Sequence, residues 1–239
     1  MHPMLPLSTI PTSARHRVVL LDGVPADVLL IHEIYLSLQG ESTFAGLPCV
    51  FVRTSVCDLR CTWCDTPHAF TQGDRWASDK VLSQVLAYDC PLVELTGGEP
   101  LLQPAAYPLM TALADAGKTV LIETSGAHDV SKIDRRVHVI IDLKCPDSGE
   151  VERNYWPNLD VLKPTDQIKF VLASRRDWDW AEETIRTHKL DQRFQVLVST
   201  VFRSLDLQDL TKWILASKLT VRFQMQLHKL IWDPKERGV

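Results

Sequence analysis

Cys49-Val50-Phe51-Val52-Arg53-Thr54-Ser55-Val56-Cys57-Asp58-Leu59-Arg60-Cys61-Thr62-Trp63-Cys64 reads as a strand running into a thiol-rich loop. The apolar, β-branched run Cys49–Thr54 has strand character. Cys57, Cys61 and Cys64 then follow in the spacing C-x3-C-x2-C. Thiolates are soft ligands that suit iron–sulfur clusters, copper(I) or zinc. A spacing this tight lets three sulfurs converge from one loop. Three protein ligands on a four-iron cluster leave one iron open, and an open position separates a catalytic metal site from a closed structural one.

Downstream, β-branched runs alternate with amphipathic helical patterns. Strands are predicted at Leu92–Thr96, Thr119–Thr124, His138–Leu143, Gln167–Leu172, Phe194–Ser199 and Val221–Leu227. Helices are predicted at Ser78–Ala87, with Ser78 as N-cap, at Pro104–Ala116, ended by Gly117, and at Asp177–Lys189 and Asp206–Ala216. Strand–helix–strand alternation implies a parallel sheet, hence an α/β fold. The chain is short for eight units and leaves little room for a helix between Thr124 and His138, so an open, incomplete (β/α) barrel is expected. In such barrels catalytic groups sit at the C-terminal ends of strands. Arg53 and Thr54, Thr96 to Glu99, Glu123 to Ser125, Asp142 with Lys144, Ser199 with Thr200, and Gln226 with His228 all fall there.

The bulk properties narrow the function. The 239 residues suit one core-bearing domain over 31–239, with 1–30 as an N-terminal extension. Residues Met1 to Arg17 carry three prolines and no signal-peptide pattern, so they read as a mobile leader. A net charge of −4 argues against a nucleic-acid or membrane-surface binder, and no apolar run spans a bilayer. A cytoplasmic location is expected. Six cysteines, three of them clustered, fit metal or redox chemistry better than a disulfide scaffold. Cys49, Cys90 and Cys145 read as buried thiols, and Trp178, Trp180 and Trp213 as helix-packing residues.

On spacing alone, Cys57, Cys61 and Cys64 with His68 fit a structural zinc as well as a cluster. The Gly-Gly-Glu-Pro after the next strand decides for the cluster. With it, the chain resembles the radical S-adenosylmethionine (SAM) superfamily, whose hallmark is C-x3-C-x2-C after the first barrel strand. The resemblance implies a [4Fe-4S] cluster on Cys57, Cys61 and Cys64, its open iron chelated by SAM. Thr96-Gly97-Gly98-Glu99-Pro100 is similar to the family's SAM-contacting motif, where glycine permits close backbone approach.

Further motifs narrow the resemblance. Leu38-Gln39-Gly40-Glu41 with Phe44, Gly46 and Pro48, then Cys64-Asp65-Thr66 and Glu123-Thr124-Ser125-Gly126, are similar to the 7-carboxy-7-deazaguanine synthases of queuosine biosynthesis. So are Asp142-Leu143-Lys144-Cys145-Pro146 and the tail Gln226-Leu227-His228-Lys229, Trp232 and Arg237-Gly238-Val239. The resemblance runs from about Ile31 to the C-terminus. It implies a ring contraction of 6-carboxy-5,6,7,8-tetrahydropterin with loss of ammonia. A SAM-derived radical takes hydrogen from the carboxylate-bearing carbon, and SAM is regenerated. It further implies SAM contacts from Trp63, Cys64, Asp65, Gly98, Asp142, Leu143 and Lys144, and a Mg2+ on Thr66. Substrate contacts would come from Leu38, Gln39, Gly40, Glu41, Arg53, Thr96, His228 and the Val239 carboxylate. An electron donor such as flavodoxin or ferredoxin and a homodimer belong to the same expectation.

The residue chemistry fits that substrate. Arg53 offers a bidentate fork for a carboxylate. Gln39 and Glu41 give an acceptor-rich edge for pterin amines. Thr96 and His228, the latter expected at the end of the last strand, can hydrogen-bond substrate. Gly238 would let the terminus turn inward. Three departures stand out. Val56 and Ser42 replace glycines usual in the family, and Asp142-Leu143-Lys144 stands where many members have Ser-Pro-Lys. The competing readings are a glycyl-radical activating enzyme, which shares the cysteine spacing but acts on a protein, and a zinc-stabilised binding module.

Overall fold

The computed structural model describes residues 11–234 and 236–239, so the first ten residues of the expected leader lie outside it. Two 3-10 turns, Thr12–Arg17 and Val19–Leu21, precede a long strand, β1 (Val28–Leu38). Then come β2 (Pro48–Thr54), β3 (Asp74–Ala77), α1 (Ser78–Leu86), β4 (Leu92–Gly97), α2 (Ala106–Asp115), β5 (Thr119–Thr124) and β6 (His138–Leu143). The chain continues through α3 (Asn158–Val161), β7 (Gln167–Leu172), α4 (Arg175–His188), α5 (Leu190–Arg193), β8 (Gln195–Thr200), α6 (Leu207–Ser217), β9 (Arg222–Phe223) and α7 (His228–Ile231).

The strands form one sheet in the order β3-β1-β2-β4-β5-β6-β7-β8-β9. From β2 to β9 every neighbour pair is parallel, while β1 pairs antiparallel with both β2 and β3. The sheet ends at β3 and β9 and does not close, which matches the incomplete barrel expected. Parallel strands need crossovers, and helices cover them; the apolar runs are accordingly buried on both faces. Val50, Val52, Val93, Leu95, Leu121, Ile122, Ile141, Ile168 and Phe170 form the centre of this core.

The expected strands and helices are present, with instructive shifts. Ser78 is the first residue of α1 rather than its cap, because β3 pairs with β1 up to Ala77 and the Ser78 N–H is spent on Asp27 O. Gly117 ends α2 at φ +80, with the Lys118 N–H returning to Leu113 O. No helix lies between β5 and β6. The last strand is shorter than predicted. β9 pairs only at Arg222 and Phe223, and the Leu227 N–H then bonds Gly40 O, drawing the tail away from the sheet. His228 therefore sits at the start of α7, not on a strand end. Cys49, Cys90 and Cys145 are buried; Trp178 is fully buried, and Trp180 packs edge-on to Phe170.

Candidate active site

One cavity of about 440 Å³ opens at the C-terminal ends of the parallel strands. Its wall brings together the cysteine loop after β2, the glycines ending β4, the polar ends of β5 to β7, the loop after β1 and the C-terminal tail. Each residue singled out by sequence for a ligand lines it except Leu143. Alternation along β6 turns that side chain into the core.

The cysteine loop is held from several sides. The buried Asp58 carboxylate accepts from Arg153 at 2.5 Å and faces His128 Nε2 at 3.1 Å. Burial alone would raise Asp58 and lower His128, yet their contact reverses both directions. Glu150 Oε1 accepts the Arg60 N–H at 2.6 Å, and Thr62 N–H bonds Ser148 O. Gly97 and Gly98 seal the other side. A Cβ on Gly97 would lie 2.2 Å from Thr54 O, and one on Gly98 2.2 Å from Val56 O. The Gly98 and Glu99 N–H groups bond Thr54 O and Val56 O. These glycines are required by backbone packing against the cysteine loop, a constraint their sequence motif does not reveal. Glu99 is buried and accepts from Leu101 N–H, Thr124 Oγ1, Ser125 N–H and Ser125 Oγ, so it ties β4 to β5.

Burial pushes the Cys57 and Cys61 thiols up, disfavouring bare thiolates. A cationic metal centre is what makes such thiolates stable. Among the described residues, the group of three or more potential ligands lying within 4.8 Å of one another is His32, Glu33 and His68. His68 stacks at a tilt on His32, 4.8 Å between ring centres, instead of completing the cysteine set. Three thiolates lining one cavity are a donor set that fits an iron–sulfur cluster. In the His32 group, the Glu33 carboxylate is already paired with Arg53.

Another part of the wall is built on ion pairs. Arg53 donates through Nε to Glu33 at 2.7 Å and through Nη2 to Tyr35 Oη at 2.9 Å, which fixes its plane. Lys169 Nζ lies 2.6 Å from Glu41 Oε2 and 2.5 Å from Glu123 Oε1. Burial works against the ammonium, but the two carboxylates hold it well above its ordinary value. Burial would raise Glu41 too, yet Lys169 keeps it below the usual range. Glu94 is buried and pushed well up, and it accepts from Gln39 Nε2. Gln39 Oε1 accepts the Glu41 N–H at 2.9 Å. Both acceptor residues are thereby locked in place.

The tail closes the cavity. Gln226 Nε2 donates to Glu41 at 3.0 Å, and Lys229 Nζ to Asp65 at 2.8 Å. Loss of hydration at the cavity wall would raise the half-exposed Asp65, but the Lys229 ammonium outweighs it and holds the carboxyl below its usual range. His228 packs so closely on Gly40 that a Cβ there would meet its Nδ1 at 2.4 Å. Its burial lowers its pKa and favours the neutral ring. Gly238 adopts φ +72, and Val239 lines the cavity. Thr66 lies beside Cys64, Oγ1 to Sγ 3.8 Å. Asp142 pairs with Lys144 at 2.8 Å.

Lys169 and Glu94 were missed as site residues. Their signal was present: a charge inside an otherwise apolar parallel strand must be paired. Tyr35 and Glu33 were missed because β1 itself was not expected.

The radical SAM superfamily family model matches residues 51–189. A protein of Chlorobaculum tepidum described as 7-carboxy-7-deazaguanine synthase is 44% identical over 88% of this chain and 97% of its own length. A protein of Koribacter versatilis with the same description is 43% identical over 87% of this chain and 99% of its own. Among solved structures, QueE from Escherichia coli superposes with a TM-score of 0.69 at 25% identity, covering 83% of this chain and 94% of that one.

Proposed function

The chain belongs to the radical SAM superfamily and, within it, to the 7-carboxy-7-deazaguanine synthases; from that membership we propose how its cavity contracts a carboxytetrahydropterin ring. The reaction converts 6-carboxy-5,6,7,8-tetrahydropterin to 7-carboxy-7-deazaguanine with release of ammonia, a step toward queuosine. The observation that carries this reading is one cavity walled by three cysteines on one side and by a carboxylate-binding arginine and paired acceptors on the other. Its volume of about 440 Å³ falls within the range of small-molecule sites.

Cys57, Cys61 and Cys64 hold the [4Fe-4S] cluster. Trp63, Cys64, Asp65, Gly98, Asp142 and Lys144 flank SAM, with Leu143 acting through its backbone. When bound, the cluster and SAM supply the radical that removes hydrogen from the substrate. The donors of Arg53 left over from Glu33 and Tyr35 take the substrate carboxylate, in a plane already set. Gln39 and Glu41 accept from the pterin amino edge, framed by Leu38 and Gly40. Lys169 keeps Glu41 ionised for that task. Thr96 and neutral His228 donate to substrate oxygens, and the Val239 carboxylate closes over the ring. The Thr66 hydroxyl gives Mg2+ a hard oxygen ligand, the remaining positions being left to water and substrate. Family resemblance also supports a homodimer and reduction by flavodoxin or ferredoxin.

Product analysis tests this reading. Anaerobically reconstituted protein with the carboxytetrahydropterin, SAM, Mg2+ and reductant is expected to yield 7-carboxy-7-deazaguanine by mass spectrometry. SAM cleavage without that product contradicts the substrate, and one zinc per chain without iron or sulfide contradicts the chemistry.

A further inference from the structure

Val56 immediately precedes the first cysteine and adopts φ +74, a conformation that β-branched residues avoid. Its backbone leaves little choice. The Val56 N–H bonds Ala69 O at 2.7 Å, its carbonyl accepts from Glu99 N–H at 2.8 Å, and Gly98 is packed against that carbonyl. Yet the side chain is wholly buried. It sits in a small apolar cluster, separate from the main core, with Ala14, Val18 and Leu30, and Leu21, Val24 and Leu102 at its margin. Four of these six contributors come from the segment 12–24, ahead of the point where the family resemblance begins.

The same segment grips the far side of Cys57. Arg17 Nη1 donates to Asp58 O at 2.8 Å and to Glu150 Oε1 at 3.2 Å. That glutamate oxygen also takes the Arg60 N–H. Residues 12–24 therefore hold the cysteine loop at Val56 by apolar contact and at Asp58 by a charge-assisted hydrogen bond.

We propose that segment 12–24 is a clamp that positions Cys57 for the cluster, with Val56 and Arg17 as its positioning residues. A glycine at position 56 would adopt this backbone unaided but offer nothing to grip. Valine offers two methyl groups, and their burial under Ala14 and Val18 stabilises a conformation it would otherwise leave. The clamp and the valine are complementary. This inference rests on Cys57 being a cluster ligand, and the iron content of Cys57→Ala against that of the unsubstituted protein tests that assignment first and separately.

The experiment is a double-substitution cycle in the full-length, reconstituted holoenzyme, read as the rate of iron loss to a chelator and the EPR signal of the reduced cluster with SAM. Val18→Asp, which unseats the segment, is expected to speed iron loss about tenfold, a change of the size that a non-glycine left-handed residue's strain produces. In the Val56→Gly background the same substitution is expected to have little effect. An unchanged rate in Val18→Asp overturns the clamp. So does an equal acceleration in both backgrounds, which would mark general destabilisation. Should Val18→Asp not fold, Arg17→Met gives the second reading. It is expected to accelerate iron loss and alter the SAM-bound signal, with Arg17→Lys restoring part of both, and wild-type behaviour of Arg17→Met overturns the proposal.

Discussion

Arg53 is held by Glu33 and Tyr35 in a fixed plane, so its remaining donors would meet the proposed substrate carboxylate without first being ordered. Arg53→Ala is expected to lower ring-contraction turnover at least about a hundredfold, the size of a lost charged hydrogen bond, while SAM cleavage uncoupled from substrate falls far less. Equal loss of both activities, measured on the same preparation, counts against a substrate-binding role. Lys169 bridges Glu41 and Glu123, and all three are largely buried. Lys169→Met is expected to destabilise the fold by about 3–5 kcal/mol, because two buried carboxylates lose their partner. Denaturant unfolding showing a change below roughly 1 kcal/mol would mean that those carboxylates relax by taking up protons. At this scale the sequence was legible wherever a residue type is needed for its own chemistry, as with the thiols. It was not legible where the partner decides the role. Arg53 lies directly opposite Glu33 in the register of β1 and β2, and nothing local announces that pairing. Val56 and Ser42, standing where glycines are usual, both keep a positive φ (74 and 63), so the backbone shape survives the change of side chain.

Among the elements, the loop after β2 and the end of β4 behave as one unit. Gly98→Ala puts a Cβ 2.2 Å from Val56 O, where backbone meets backbone and neither can yield cheaply. The expected result is a drop in cluster content with the far-UV circular dichroism spectrum retained, at an overpacking cost of about 1–3 kcal/mol. Full iron and sulfide loading of that variant would contradict the packing role of the glycine. The central strands were readable because parallel strands buried on both faces leave continuous apolar runs, as in Val139-Ile140-Ile141. The edges were not. β1 mixes His32, Glu33 and Ser37 into its run, since its outer part faces the cavity and the margin of the sheet, and β3 has only four residues. The last strand was read too long because Gln224 to Leu227 have strand-like composition but are drawn off by the Leu227–Gly40 hydrogen bond.

At the level of the whole molecule, an open sheet with an antiparallel hairpin at one edge leaves a mouth that the C-terminal tail reaches. The tail bonds the loop after β1 through Gln226 and Glu41 and the cysteine loop through Lys229 and Asp65. Val239 lines the cavity, and on the proposed reading its carboxylate meets the substrate, so residues appended after it would displace that group. A C-terminal tag is therefore expected to reduce turnover substantially, while the same tag removed by a protease that leaves Val239 terminal restores it. An undiminished rate in the tagged protein would show that the terminal carboxylate takes no part.

The central claim is that a radical generated beside the three cysteines acts on a pterin held by Arg53 and its neighbours, and that SAM is recovered afterwards. Its most direct test follows the hydrogen. With carboxytetrahydropterin deuterated at the carboxylate-bearing carbon, deuterium is expected in the recovered SAM alongside 7-carboxy-7-deazaguanine. Ring-contracted product formed with unlabelled SAM, or labelled 5′-deoxyadenosine released once per turnover, would contradict it.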